Sequence, residues 1–206
     1  MKYIGFYNKE YNLEFYNTPK AGMTTMLKVI PFERQPISEI PVDRKVCCIL
    51  REPVSRFISA FGDLATRKST NCRMRPWDQE GIMGESFHEL TKSDKNKALL
   101  KYIKEIELNG FFDHHHLPQY YFLNGLHPNA RNNHRRISSI TNFLFLNNLE
   151  EDISEMLGKK IKIPHSNKRK HSSLLADEVA ESIKKIMPSI KTLYKEDFEI
   201  YKLNKK

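Results

Sequence analysis

Cysteine is scarce in this chain: three residues in 206, an odd number, with Cys47 and Cys48 adjacent inside an apolar run. That usage argues against a disulfide framework or a metal cage, and buried thiols in a strand are the expectation. Long apolar stretches are missing as well. Nothing approaches the roughly 18 to 20 residues that a bilayer span needs. The opening MKYIGFYNKEYNLEF has no unbroken apolar core of a signal peptide, because Asn8, Lys9, Glu10 and Asn12 interrupt it. The expected setting is the cytoplasm. There is no internal repeat and no long low-complexity tract, which excludes a solenoid. The glycine-rich consensus G-x-x-x-x-G-K-[ST] of the common nucleotide-binding loop is also absent.

What is present suits one globular domain over residues 1–206. Hydrophobic residues make up 39% and charged residues 29%, ordinary values for a packed fold. The net charge is +9. Such a balance favours anionic partners (nucleotides, nucleic acid or acidic glycans), but a solvated Lys-rich surface has the same composition. Charge selects no function here.

Leu13 to Asn17 is short and aromatic-rich and reads as a strand. Thr18-Pro19-Lys20-Ala21-Gly22 breaks it, and Met23 to Ile30 reads as a helix closed by Pro31. Residues 31–44 carry three prolines and read as an extended connection. Lys45 to Leu50, KVCCIL, is continuously apolar after its first residue, as a strand covered on both faces requires. Pro53 suits the first turn of a following helix with Phe57, Ile58, Phe61 and Leu64 on one stripe. Residues 66–92 are irregular and polar, a candidate acceptor-facing flap. Ser93 is the expected N-cap of a helix that Asn109-Gly110 stops. A short helix over 118–123, a strand over 142–146 and a helix from Leu149 to Gly158 follow. Leu175, Val179, Ile183 and Ile186 mark a C-terminal helix that Pro188 bends or ends, and a last helix around Ile190 to Ile200 is expected after it. Strands alternating with helices imply an α/β domain with a mostly parallel sheet flanked by helices.

The segment Thr18 to Thr25 is the most informative. A strand delivers the chain to a tight turn, and the next helix points its free N–H groups back into that turn. Such a nest binds phosphate with few side chains. Gly22 permits close backbone approach, Lys20 adds a compact positive charge, and Thr24 and Thr25 add hydroxyls. Taken alone, Pro-Lys-x-Gly also fits an ordinary turn with a surface lysine. The second strand ends at Arg51-Glu52-Pro53-Val54-Ser55-Arg56, at the edge where open α/β sheets place ligands. Arg51 can fork onto a phosphate there, and Ser59, two helical turns on, can donate its hydroxyl to the same group. An ion pair of Arg51 with a neighbouring acid is the plainer alternative.

Together these blocks resemble the carbohydrate-type sulfotransferases. Pro19 to Thr25 is similar to that family's 5′-phosphosulfate loop, and residues 51–61 to its 3′-phosphate motif. His115-His116-Leu117-Pro118-Gln119 resembles its His-Trp-x-Pro-Gln segment, and Tyr194-Lys195-Glu196-Asp197-Phe198 its Tyr-x-x-Asp-Phe ending. The stretch from Leu149 to Lys168 resembles the part that closes over the donor. Met23 departs from the small residue usual in the loop, and His116 from the usual Trp.

The resemblance implies a P-loop-NTPase-like sulfotransferase fold and 3′-phosphoadenosine 5′-phosphosulfate as sulfuryl donor, with no metal. The acceptor implied is a hydroxyl of a carbohydrate or another molecule, acidic ones included; no nucleic-acid partner is implied. It puts Lys20, Ala21, Gly22, Met23, Thr24 and Thr25 around the 5′ end of the donor, and Arg51 and Ser59 at the 3′-phosphate. Lys168 and Arg169 would cover the donor, or form an ordinary basic surface loop. Lys20 would neutralise charge on the leaving oxygen, and His115 would be the general base, with Glu85 and Asp113 in reserve. A histidine that only orients a loop is the plainer alternative for His115. Arg131, His134, Arg135 and Arg136 face either an acidic acceptor or water. A nucleotide kinase-like enzyme lacks its lysine loop and magnesium carboxylate here, and no recognised nucleic-acid motif is present. A catalytically inactive nucleotide binder is the third alternative.

Overall fold

The computed structural model describes residues 4–65, 87, 89–111, 114–126, 134–163 and 175–205. Lys168, Arg169, Glu85, Asp113, Arg131 and nearly all of the 66–92 segment lie outside them. The chain falls into two compact units. One comprises Met1–Glu52, Pro118–Asn167 and Glu196–Lys206; the other comprises Pro53–Leu117 and Lys168–Lys195.

The first unit is built on a five-stranded sheet. Its strands are β1 (Ile4–Asn8), β2 (Leu13–Tyr16), β3 (Glu33–Pro36), β4 (Lys45–Leu50) and β5 (Asn142–Phe145). They lie in the order β3-β1-β2-β4-β5. The sheet is mixed, which corrects the expected mostly parallel one: β2–β4–β5 run parallel, while β1 is antiparallel to both β2 and β3. The physical reason is the short connection between β1 and β2. Asn8 Oδ1 accepts from Tyr11 N at 2.9 Å and Asn12 takes φ 46, so the chain reverses within four residues. So tight a reversal permits only an antiparallel pair. β3 lies within the stretch expected as a plain connection. As an edge strand it tolerates Pro36.

The helices of this unit are α1 (Met23–Val29), α4 (Gln119–Leu123), α5 (Leu149–Leu157) and α7 (Lys195–Asn204). They cover both faces of the parallel strands. Leu13, Phe15, Cys47, Ile49 and Leu144 pack with Met26 of α1 and with Leu149 and Ile153 of α5. Tyr16, Val46, Cys48, Leu50 and Phe145 pack with Leu123 of α4 and with Ile200 and Tyr201 of α7. β4 is thus apolar from Val46 to Leu50 because alternate side chains enter two different cores. Cys47 and Cys48 are both fully buried, and burial pushes both thiols well up from their ordinary range.

The second unit is helical: α2 (Pro53–Ala65), α3 (Lys92–Asn109) and α6 (Ala180–Leu193). Phe57 and Phe61 of α2 pack on Tyr102 of α3 with ring centroids 5.7 and 5.3 Å apart. Thr91, not Ser93, caps α3, its side chain accepting from Asp94 N at 3.2 Å. A cap two residues earlier lets α3 gain half a turn. Pro188 sits inside α6, so of the two expectations the helix that runs on past the proline holds and the helix that ends there does not. Ile183, Ile186 and Ile190 on its buried stripe hold that helix through the missing N–H.

Candidate functional site

Between β2 and α1 the backbone twice enters the left-handed region, at Lys20 (φ 62) and Gly22 (φ 83). At Gly22 a side chain would be strained: an added Cβ would meet Leu146 Cδ1 at 2.7 Å, so the tip of that leucine would have to shift, and φ 83 disfavours any L residue. Lys20 adopts this conformation with a full side chain, at a cost of about 1–2 kcal/mol. Local strain of that kind is characteristic of a loop shaped for a ligand. Gly22 caps α1 without a side-chain hydrogen bond, and no acidic residue occupies the first turn. Ala21 is buried beneath the loop, Lys20, Met23 and Thr25 are half-buried, and Thr24 is exposed.

Arg51 reaches this loop from the neighbouring strand. β2 and β4 are paired in parallel, so their C-terminal ends lie side by side. The Arg51 guanidinium donates from Nη1 to Lys20 O at 3.1 Å. The main chain of Arg51 is in turn gripped by one side chain, with Gln119 Oε1 accepting from its N–H at 3.1 Å and Gln119 Nε2 donating to its carbonyl at 3.2 Å. Asp197 then takes the two leading N–H groups of α4, Gln119 N and Tyr120 N, both at 2.8 Å. A buried carboxylate at a helix start satisfies donors that the helix leaves open. Motif segments far apart in sequence meet in this one relay from α7 through α4 to the tip of β4.

Arg135 corrects an expectation. It faces neither solvent nor an acceptor but is 1% exposed, beneath the end of β2. Nη1 and Nη2 donate to Asn17 O and Oδ1 at 2.8 and 2.6 Å, and the guanidinium lies 5.0 Å from the Tyr16 ring centre. Burial lowers its pKa to about 10, so it stays charged at neutral pH. Asn17 Nδ2 donates to the Met23 sulfur at 3.2 Å, which gives the unexpected methionine a structural place. His134 is also nearly buried, with Nε2 3.2 Å from Glu14 Oε1. Sequence reading missed Arg135, Gln119 and Asp197 as loop supports. The two motif segments containing Gln119 and Asp197 were visible, but their targets are backbone groups, which leave no mark on residue type.

In the helical unit, Ser59 is half-buried on α2. The three histidines sort by environment. His116 is 1% exposed and hydrogen-bonded through Nδ1 to the Tyr102 hydroxyl, His114 is exposed, and His115 is half-buried with its ring 3.9 Å from that of His114. Among the described residues no group of three His, Cys, Asp or Glu could hold a metal ion. None of the described helices is long and apolar enough to cross a membrane.

The Lys20 loop and the Arg51 guanidinium from the adjacent strand tip thus meet at one edge of the sheet. The family model described as "Sulfotransferase family" matches residues 32–204, and the chain belongs to that family. Its class is therefore that of the sulfuryl transferases. The match begins after α1, so the reading of the Lys20 loop stands on its own geometry and motif. No curated protein and no solved structure gives a significant match.

Proposed function

We propose that this protein transfers a sulfuryl group from 3′-phosphoadenosine 5′-phosphosulfate to an acceptor hydroxyl, of a carbohydrate in the first instance, on a P-loop-like sheet. The observation that carries the reading is the Arg51 Nη1 to Lys20 O contact. It brings two cationic residues from adjacent strand tips to one edge, as a donor charged at both ends requires.

In this reading the loop N–H groups, Lys20 and the Thr24 and Thr25 hydroxyls hold the 5′-phosphosulfate. Sulfuryl transfer, like phosphoryl transfer, asks for in-line geometry and for neutralisation of the leaving oxygen. Lys20 supplies that neutralisation as the sulfur–oxygen bond to the phosphate breaks. Arg51 and Ser59 take the 3′-phosphate, which separates this donor from ADP and ATP. His115 accepts the proton of the attacking hydroxyl. Lys168 and Arg169 add charge over the donor.

The test is a melting comparison. 3′-Phosphoadenosine 5′-phosphate at a hundredfold over its dissociation constant should stabilise the protein by about 2.7 kcal/mol. ADP and ATP should shift the melting point much less, and Arg51→Ala should erase the difference. An equal response to ADP in the native protein would refute the donor assignment.

A further inference from the structure

Arg56 stands five residues after Arg51, in the same motif, and would pass for a second phosphate ligand. Its surroundings point elsewhere. It is 1% exposed on α2, and its Nη2 donates to two main-chain carbonyls, Leu117 O at 2.7 Å and His115 O at 3.3 Å. The carbonyl between them is held too: the fully buried Tyr194 donates its hydroxyl to His116 O at 2.7 Å. Three consecutive carbonyls are therefore pinned by long side chains from α2 and from the end of α6.

The donors are themselves fixed. The Tyr194 ring lies against Phe57 and Phe111 at centroid distances of 6.0 and 5.7 Å. Tyr102, which holds the His116 ring, is wedged between Phe57 and Phe61. A buried guanidinium is costly unless its N–H groups are matched. Its expenditure on one short turn shapes that turn. What the turn presents is His115, half-buried with its ring stacked on His114. Misplacing a reacting group by about 1 Å can cost on the order of 10² in rate, so a base on a turn needs such support.

We infer that Arg56 and Tyr194 are positioning residues that set the orientation of the His115 imidazole, and that Arg56 is not a ligand of the donor's 3′-phosphate. The inference rests on the assignment of His115 as base in the proposed reaction. Two readouts on the full chain test it. The first is affinity for 3′-phosphoadenosine 5′-phosphate by calorimetry. The second is the ring resonances of His115 across pH in protein with ¹³C-labelled histidine, assigned through His115→Ala.

Tyr194→Phe removes one hydroxyl and keeps the packed ring; Arg56→Lys keeps the charge and loses the fork. Both should leave the dissociation constant within about twofold of the native value. Both should also shift the His115 resonances and their titration midpoint, with those of His114 moving less. Unchanged His115 signals in a folded Tyr194→Phe protein would overturn the positioning role. A rise of about tenfold or more in the dissociation constant of Arg56→Lys would show Arg56 to be a phosphate ligand and overturn the inference from the other side. Failure of the native protein to bind the nucleotide would refute the donor assignment instead, and the His115 signals would still report on the clamp.

Discussion

Glu14 is a fully buried carboxylate held by Arg44 Nε at 2.9 Å and by His134 Nε2 at 3.2 Å. Burial pulls its pKa up, but the hydrogen bonds from His134 and Arg44, with their charges, outweigh burial and leave it below the ordinary 4.5. A folded-state pKa lowered in this way stabilises the fold above about pH 4.5, and that contribution drains as pH falls through the lower folded value. Glu14→Gln breaks a buried pair and should cost about 3 kcal/mol in urea unfolding at pH 7. The loss should shrink as pH falls below about 4.5 and native Glu14 takes up its proton. Lys20 is the opposite case, a strained residue for which the proposed reaction supplies the reason. Lys20→Gly relieves the left-handed strain at φ 62 while removing the ammonium. Its unfolding free energy should stay within about 1 kcal/mol of the native value while sulfuryl transfer from the donor collapses. Retained transfer would remove Lys20 from the mechanism.

At the scale of elements, the turn from β2 into α1 depends on one residue whose backbone favours glycine. Gly22→Ala meets both a left-handed backbone and Leu146 at 2.7 Å. It should cost about 1–2 kcal/mol in denaturant unfolding and weaken binding of 3′-phosphoadenosine 5′-phosphate. Normal affinity in that variant would show that the turn does not hold the ligand. Pairing of β2 with β4 makes the loop and Arg51 neighbours, and α4 and α7 then fix the tip of β4 through Gln119 and Asp197. α1, β4, β5 and α5 were legible from pattern because each buries apolar residues at its own period. β1 and β3 were not: the first is five residues long with Gly5 inside it and Asn8 at its end, and Glu33-Arg34-Gln35-Pro36 has no apolar face. Both are strands by virtue of their partners.

For the molecule as a whole, a net charge of +9 implies that binding of a multiply charged nucleotide depends on salt. The dissociation constant of 3′-phosphoadenosine 5′-phosphate should rise steadily between about 50 and 500 mM NaCl, where the Debye length shrinks below 10 Å. A flat profile would mean that the site is insulated from the surface charge.

Residue order alone determined the α/β class, the helix stops at Gly110 and Gly158, the two segments proposed to hold the donor and the family resemblance. Each of these is written in local chemistry: apolar period, a glycine where φ must be positive, a cation beside a turn. The tertiary structure alone decided that the sheet is mixed, that Arg135 and Arg56 are buried anchors, and which of three consecutive histidines is locked and which is presented. Those outcomes depend on carbonyls and rings supplied from residues some 60 to 120 positions away, and a contact at that separation leaves no local pattern to read.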